Sequence, residues 1–131
     1  MPIIKTHATY EDLIALPDNL IAEIVDGNLH GSPRPGLRHA LATSVLGWTL
    51  GRPLERPDGS PGGWWILGRP EVHLGDDVLV PDLAGWRHDH LPRVPDVPWM
   101  SLAPDWLCEV VSPETERLDR VDKPRAYDAR T

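Results

Sequence analysis

The chain has 131 residues, 25% of them charged and 40% hydrophobic, the make-up of one soluble globular domain with a single core. No apolar run approaches the ~20 residues that span a bilayer, and Met1-Pro2-Ile3-Ile4-Lys5 lacks signal-peptide anatomy, so cytoplasmic residence is expected. A formal net charge of -7 argues against a broad basic surface for nucleic acid, and a single cysteine, Cys108, excludes an internal disulfide framework.

Frequent prolines and glycines predict short elements separated by long loops. Thr9-Tyr10-Glu11-Asp12 reads as a helix start, an N-cap with an acid three residues on, and Pro17 ends that helix. Ile21–Val25 alternates as a strand, and Asp26-Gly27 is a two-residue hairpin turn into Asn28-Leu29-His30. After a loop over 31–36, Leu37, Leu41, Val45 and Trp48 recur at helical spacing, predicting a helix over 37–50 with Gly51 as its C-terminal cap. Beyond a second loop, strands are expected at 64–67, 71–74 and 78–80, with 82–86 continuing the same sheet past Pro81. Residues 87–105 read as an irregular crossing. Trp106–Val111 is apolar on both faces except for Glu109, the pattern of a central strand buried on both sides. A C-terminal helix is expected from about Glu114, interrupted at Pro124. The whole reads as a mixed sheet with helices in one α/β (α+β) domain over residues 1–131.

Two carboxylates stand out in this pattern. Asp82 closes Val78-Leu79-Val80-Pro81-Asp82, and Glu109 interrupts Trp106-Leu107-Cys108-Glu109-Val110-Val111. An ionised acid inside apolar strand sequence costs free energy unless a cation, a metal or a hydrogen-bond network compensates it. Hard oxygen ligands from two strands can converge on one divalent ion, with water completing the shell.

A Pro-Asp pair, a gap, then an acid in an apolar strand with a lysine downstream resembles the PD-(D/E)xK restriction-endonuclease-like superfamily. Within it, the chain is similar to the widespread bacterial Uma family of endonuclease-like proteins, a domain of unknown function. The matching stretches are Glu23–Gly27, Val80–Trp86, Pro104–Pro113 and Asp119-Arg120 through Lys123 to Tyr127. The resemblance implies a mixed central sheet flanked by helices. It also implies Mg²⁺ or Mn²⁺ held by Asp82, Glu109 and the Val110 carbonyl, with Glu23 as a further acid. The superfamily's usual lysine position is here Val111, so the following helix would supply Lys123 instead. Nucleic acid, and DNA in particular, is the implied substrate. The family continues past the point where this sequence ends, so the domain is expected to be incomplete at its C-terminus, with an open sheet edge that a homodimer would cover.

Plainer readings stand beside these. The chain could be a non-catalytic module that binds nucleic acid or a protein partner, as its acidic charge and Val111 suggest. Glu109 could pair with Arg120 or Arg125, which together with Arg117 could instead contact phosphates. Asp105 also follows a proline, but it lies too close along one strand to Glu109 to be preferred over Asp82. Glu23 could equally be a solvent-facing strand acid. His88-Asp89-His90 could ligate zinc but is expected to be a solvated loop. His39 is expected to face solvent or pack at the helix start, His73 to lie on the sheet surface, Cys108 to be a buried hydrophobe, and Trp48, Trp65 and Trp106 to fill the core.

Overall fold

The computed structural model describes residues 3–54, 62–110 and 124. The expected helix from Glu114, Lys123, and the arginines at 117, 120 and 125 lie outside the described residues. In chain order the elements are β1 (Ile3–Lys5), α1 (Tyr10–Ile14), β2 (Leu20–Val25), β3 (Asn28–Pro33), α2 (Leu37–Leu54), β4 (Trp64–Gly68), β5 (Val72–Leu74), β6 (Asp77–Leu79), β7 (Leu83–Arg87) and β8 (Trp106–Cys108).

Local chemistry sets the early elements. Thr9 and Asp12 form a reciprocal capping box at α1, with Thr9 N–H donating to Asp12 Oδ2 at 2.9 Å. The β2–β3 hairpin turns at Asp26 and Gly27, whose φ values of +51° and +77° suit a primed turn between twisted strands. β3 runs on to Pro33, through what reads in sequence as loop.

The described strands form two sheets rather than one, ordered β1-β3-β2-β6-β5 and β4-β7-β8, and every strand pair in them is antiparallel. Parallel pairing among the described residues is confined to an isolated bridge between Val72 and Met100. The chain changes sheets at Pro81-Asp82. β6 pairs with β2 only at Ile24 and Val78, and the next inward N–H, that of Val80, donates at 2.8 Å to the Glu23 carboxylate. A side chain thus takes the donor that would extend the ladder, and Pro81 has no N–H to offer. The 82–86 segment therefore becomes the middle strand of a second sheet instead of extending the first.

Consecutive residues of β2 face opposite cores. Val25 joins Val72, Leu74, Leu79, Ala84, Trp86 and Met100 between the sheets, while Ile24, Leu29 and Val78 pack beneath Leu13 and Leu16. Trp86, fully buried and donating through Nε1 to the Leu102 carbonyl at 3.0 Å, is the aromatic centre. Trp65 and Trp106 are half-buried, and Trp48 is 76% exposed, contrary to the expectation that it fills the core.

That difference comes from α2. Its Leu37, Leu41, Val45 and Trp48 stripe faces outward, between 50% and 89% exposed. The covered side is His39, Ala42, Thr43, Leu46, Gly47, Leu50 and Gly51, a second stripe of the same period made largely of small residues. A Cβ on Gly47 would already meet Leu83 Cδ2 at 3.5 Å, so small residues let the helix lie close to the sheet. Gly51 is buried within the helix, which continues for another turn to Leu54 instead of capping there.

β8 is shorter and more peripheral than a central strand: three half-buried residues pairing with β7, with no second partner among the described residues. Gly85 of β7 lies between β4 and β8, and a Cβ there would stand 2.9 Å from Ile66 Cδ1 and 3.1 Å from the Trp64 ring. Gly85→Ala should therefore destabilise the fold by about 1–3 kcal/mol in urea titrations. Gly68→Ala, with nothing within 4 Å of its Cβ, should change stability by less than about 0.5 kcal/mol.

Candidate functional site

The β7–β8 register brings the two acids together. Its last pair is Leu83 with Cys108, so Asp82 and Glu109 are the next residues beyond the ladder, where the Val110 N–H reaches the Asp82 carboxylate. Asp82 is buried and Glu109 half-buried. Both acids act on the nearby thiol: burial pushes the Cys108 pKa up, and the negative charges of Asp82 and Glu109 push it further.

Asp82 is held from three sides. Its Oδ2 accepts the Val110 N–H at 2.7 Å, a short charge-assisted bond that ties the chain after β8 to the start of β7. His39 Nε2 approaches the same oxygen at 3.3 Å, and the Arg69 Nε lies 3.9 Å from Oδ1. His39 Nε2 is also 2.9 Å from the Val110 carbonyl oxygen. The hydrogen-bond partner of Nε2 is the Val110 carbonyl, an acceptor, so the imidazole carries its proton there and donates to it, with the Asp82 carboxylate alongside.

His39 is the residue that sequence reading missed. A lone histidine near a helix start carries no signal of its own; its partners lie at positions 82 and 110, and only the fold joins them. The preceding carboxylate, Glu23, is buried rather than solvent-facing, and its Oε2 holds the Val80 N–H two residues before Asp82. Val110 lies in the site with its N–H on Asp82 and its carbonyl on His39. Lys123 lies outside the described residues. The chain's other lysine, Lys5, pairs with Asp12 at 2.7 Å.

Other sequence candidates fall elsewhere. Asp105 accepts the Arg87 N–H at 2.8 Å and meets His90 Nδ1 at 2.6 Å, a structural role that leaves Asp82 as the preferred acid. His88 is buried against Trp65, ring centroids 4.3 Å apart, while His90 is exposed beside Asp105, so the two imidazoles serve different surroundings. His73 stacks on Trp99 at 4.1 Å and bonds Glu71 at 2.9 Å, more enclosed than a sheet-surface residue. Among the described residues no three or more His, Cys, Asp or Glu side chains form a ready-made metal cage.

The donor set at Asp82 and Glu109 consists of hard oxygens, two carboxylates and the nearby Val110 carbonyl. That set fits Mg²⁺ or Mn²⁺, since Mg²⁺ is commonly bound by one or two carboxylates plus water and substrate phosphates rather than by a complete protein cage. Beside Asp82 opens a cleft of about 430 Å³, lined by Arg34, Thr43, Ser44, Gly68 and Arg69 among others.

The arrangement of sheets and helices is that of a nuclease-like α+β fold. It is similar to the crystal structure described as "a putative nuclease belonging to DUF820 from Anabaena variabilis ATCC 29413", with a TM-score of 0.65, 19% identity, and coverage of 92% of this chain and 67% of that one. At that identity the likeness is one of fold. The Uma2 family, described as "Putative restriction endonuclease", matches residues 8–131, and the chain belongs to it. No protein with a curated description matches. Among the described residues no helix is long and apolar enough to cross a membrane.

Because both carboxylates raise the Cys108 pKa, they suppress its thiolate, the species that reacts with alkylating agents. Asp82→Asn or Glu109→Gln should therefore speed iodoacetamide labelling of Cys108 at pH 8 relative to wild type. Followed by mass spectrometry, unchanged rates in both variants would place the acids away from the thiol.

Proposed function

We propose that the protein is a metal-dependent nuclease that hydrolyses phosphodiester bonds of nucleic acid, DNA being the expected polymer. The observation that carries this reading is that Asp82 and Glu109 are the residues next beyond the Leu83–Cys108 pair that ends the β7–β8 ladder. Like charges gathered at one end of a strand pair destabilise it unless a cation or other groups compensate them. Membership of the Uma2 family supports the same reading.

Asp82 and Glu109 would hold Mg²⁺ or Mn²⁺, with the Val110 carbonyl as a further oxygen. When bound, such an ion lowers the pKa of water and neutralises charge on a phosphoryl oxygen. The chain's own residues prepare the place. Glu23 fixes Val80 and so aims the Pro81-Asp82 corner. His39 is a positioning residue: its Nε2 bonds the Val110 carbonyl while lying 3.3 Å from Asp82 Oδ2, which keeps the two in place. Arg69 supplies positive charge on the other carboxylate oxygen.

Asp82→Asn and Glu109→Gln should each lower Mg²⁺- or Mn²⁺-dependent cleavage of plasmid DNA by roughly 100-fold or more, the scale expected when an electrostatic centre is lost. Full activity in both variants would sink the assignment. His39→Ala should reduce cleavage and weaken Mn²⁺ binding in calorimetry, and His39→Gln, which keeps an N–H donor of similar reach, should restore part of both.

A binding module without catalysis is the competing reading. It is favoured by Val111 at the superfamily's lysine position and by the pairing of Lys5 with Asp12. It predicts nucleic-acid binding with no cleavage under any divalent ion.

A further inference from the structure

We infer that Arg69 and Arg34, together with the Ser44 hydroxyl, form a subsite that grips a backbone phosphate of nucleic acid beside Asp82. The inference deepens the nuclease reading and rests on it for the identity of the polymer. Three observations lead to it.

The first is backbone geometry. Arg69 has φ +50°, in the left-handed region that glycine occupies freely and a side-chain-bearing residue rarely does. It also precedes Pro70, which pushes the residue before it towards extended conformations. Holding arginine there costs on the order of 1 kcal/mol or more, and such strain clusters at functional sites. The strain persists because the Arg69 N–H donates to the Asp82 carbonyl at 3.0 Å, which ties this turn to the acid's own backbone. A glycine would make the same turn without strain, so the fold does not require arginine here.

The second is the side chain's contact. The Arg69 Nε lies 3.9 Å from Asp82 Oδ1, within Coulombic reach but too far for a hydrogen bond. The guanidinium is a third exposed and borders the open cleft. Its planar fork matches two phosphate oxygens, a geometry that a lysine cannot reproduce.

The third is the rest of the cleft lining. Arg34 enters from the loop before α2, and Ser44 from the helix. Thr43 also lines the cleft, but its hydroxyl already donates to the His39 carbonyl at 3.0 Å and contributes bulk rather than a donor. Two arginines lining a cleft of about 430 Å³ give local positive charge to a chain whose formal net charge is -7. A polyanion approaching so acidic a protein needs such a local patch.

The test is fluorescence anisotropy with a labelled oligonucleotide, in EDTA so that no cleavage occurs, across a series of KCl concentrations. Arg69→Ala and Arg34→Ala should each weaken binding about 5- to 30-fold and reduce the slope of log K against log salt by about 0.7–0.9, one phosphate contact apiece. Arg69→Lys should keep the slope while binding less tightly than wild type. Arg69→Gly loses the same side chain but relieves the backbone strain, so it should melt higher than Arg69→Ala yet bind as poorly, separating loss of a contact from loss of the fold. Unchanged affinity and slope in both alanine variants would overturn the subsite, as would a wild-type protein that does not bind the oligonucleotide. The two readings fail separately. Arginine-dependent binding without cleavage in Mg²⁺ or Mn²⁺ removes the nuclease and leaves the phosphate grip. Cleavage that depends on Asp82 but not on either arginine does the reverse.

Discussion

The register that brings Asp82 and Glu109 to one end of a strand pair is the constraint around which the surrounding structure is arranged. Like charges gathered at one end of an antiparallel strand pair destabilise it unless neighbouring groups compensate them. A small domain has little stability to spare, so the donors around Asp82 matter there. The Val110 N–H, the His39 imidazole and the Arg69 guanidinium all bring positive or donor character to Asp82. Each comes from a different part of the chain: the residue after β8, the helix α2, and the turn between β4 and β5.

The same corner explains why there are two sheets. Glu23 takes the Val80 N–H that would have extended the pairing of β6 with β2. Diverted there, the chain passes the buried Pro81 and enters the second sheet at Leu83. A carboxylate on one strand thus ends a ladder, and the residue two positions later becomes the proposed metal ligand. Ladder termination and site construction are one event in this fold. The Val110 carbonyl and amide complete it by joining α2 and β7 to the end of β8.

Much of this architecture was legible in the residues, and the exceptions share a cause. The capping box at Thr9 and the Asp26-Gly27 turn depend on neighbours within a few positions, so sequence specified them well. The two acids were legible because apolar flanks make a charge conspicuous. The α2 helix was legible as a helix but not as to its covered side, because it carries two stripes of the same period and the one richer in small residues is the covered one. His39 and Arg69 were not legible as site residues: one depends on partners far along the chain, the other on a φ angle that no residue pattern announces. The division of the strands into two sheets was hidden for a similar reason, since it turns on one side-chain hydrogen bond between positions 23 and 80.

The placement of the tryptophans has an optical consequence. Four of the six, Trp64, Trp65, Trp86 and Trp106, stand on β4, β7 and β8, the sheet whose end carries Asp82 and Cys108. Indole emission responds to local polarity, and three of these rings, Trp64, Trp65 and Trp86, belong to the last two pairs of β4 with β7, at the end of the sheet away from Asp82. The ultraviolet spectrum of the unlabelled protein is therefore weighted towards this sheet, and it reports on the intactness of the end far from the carboxylates rather than on the carboxylates themselves.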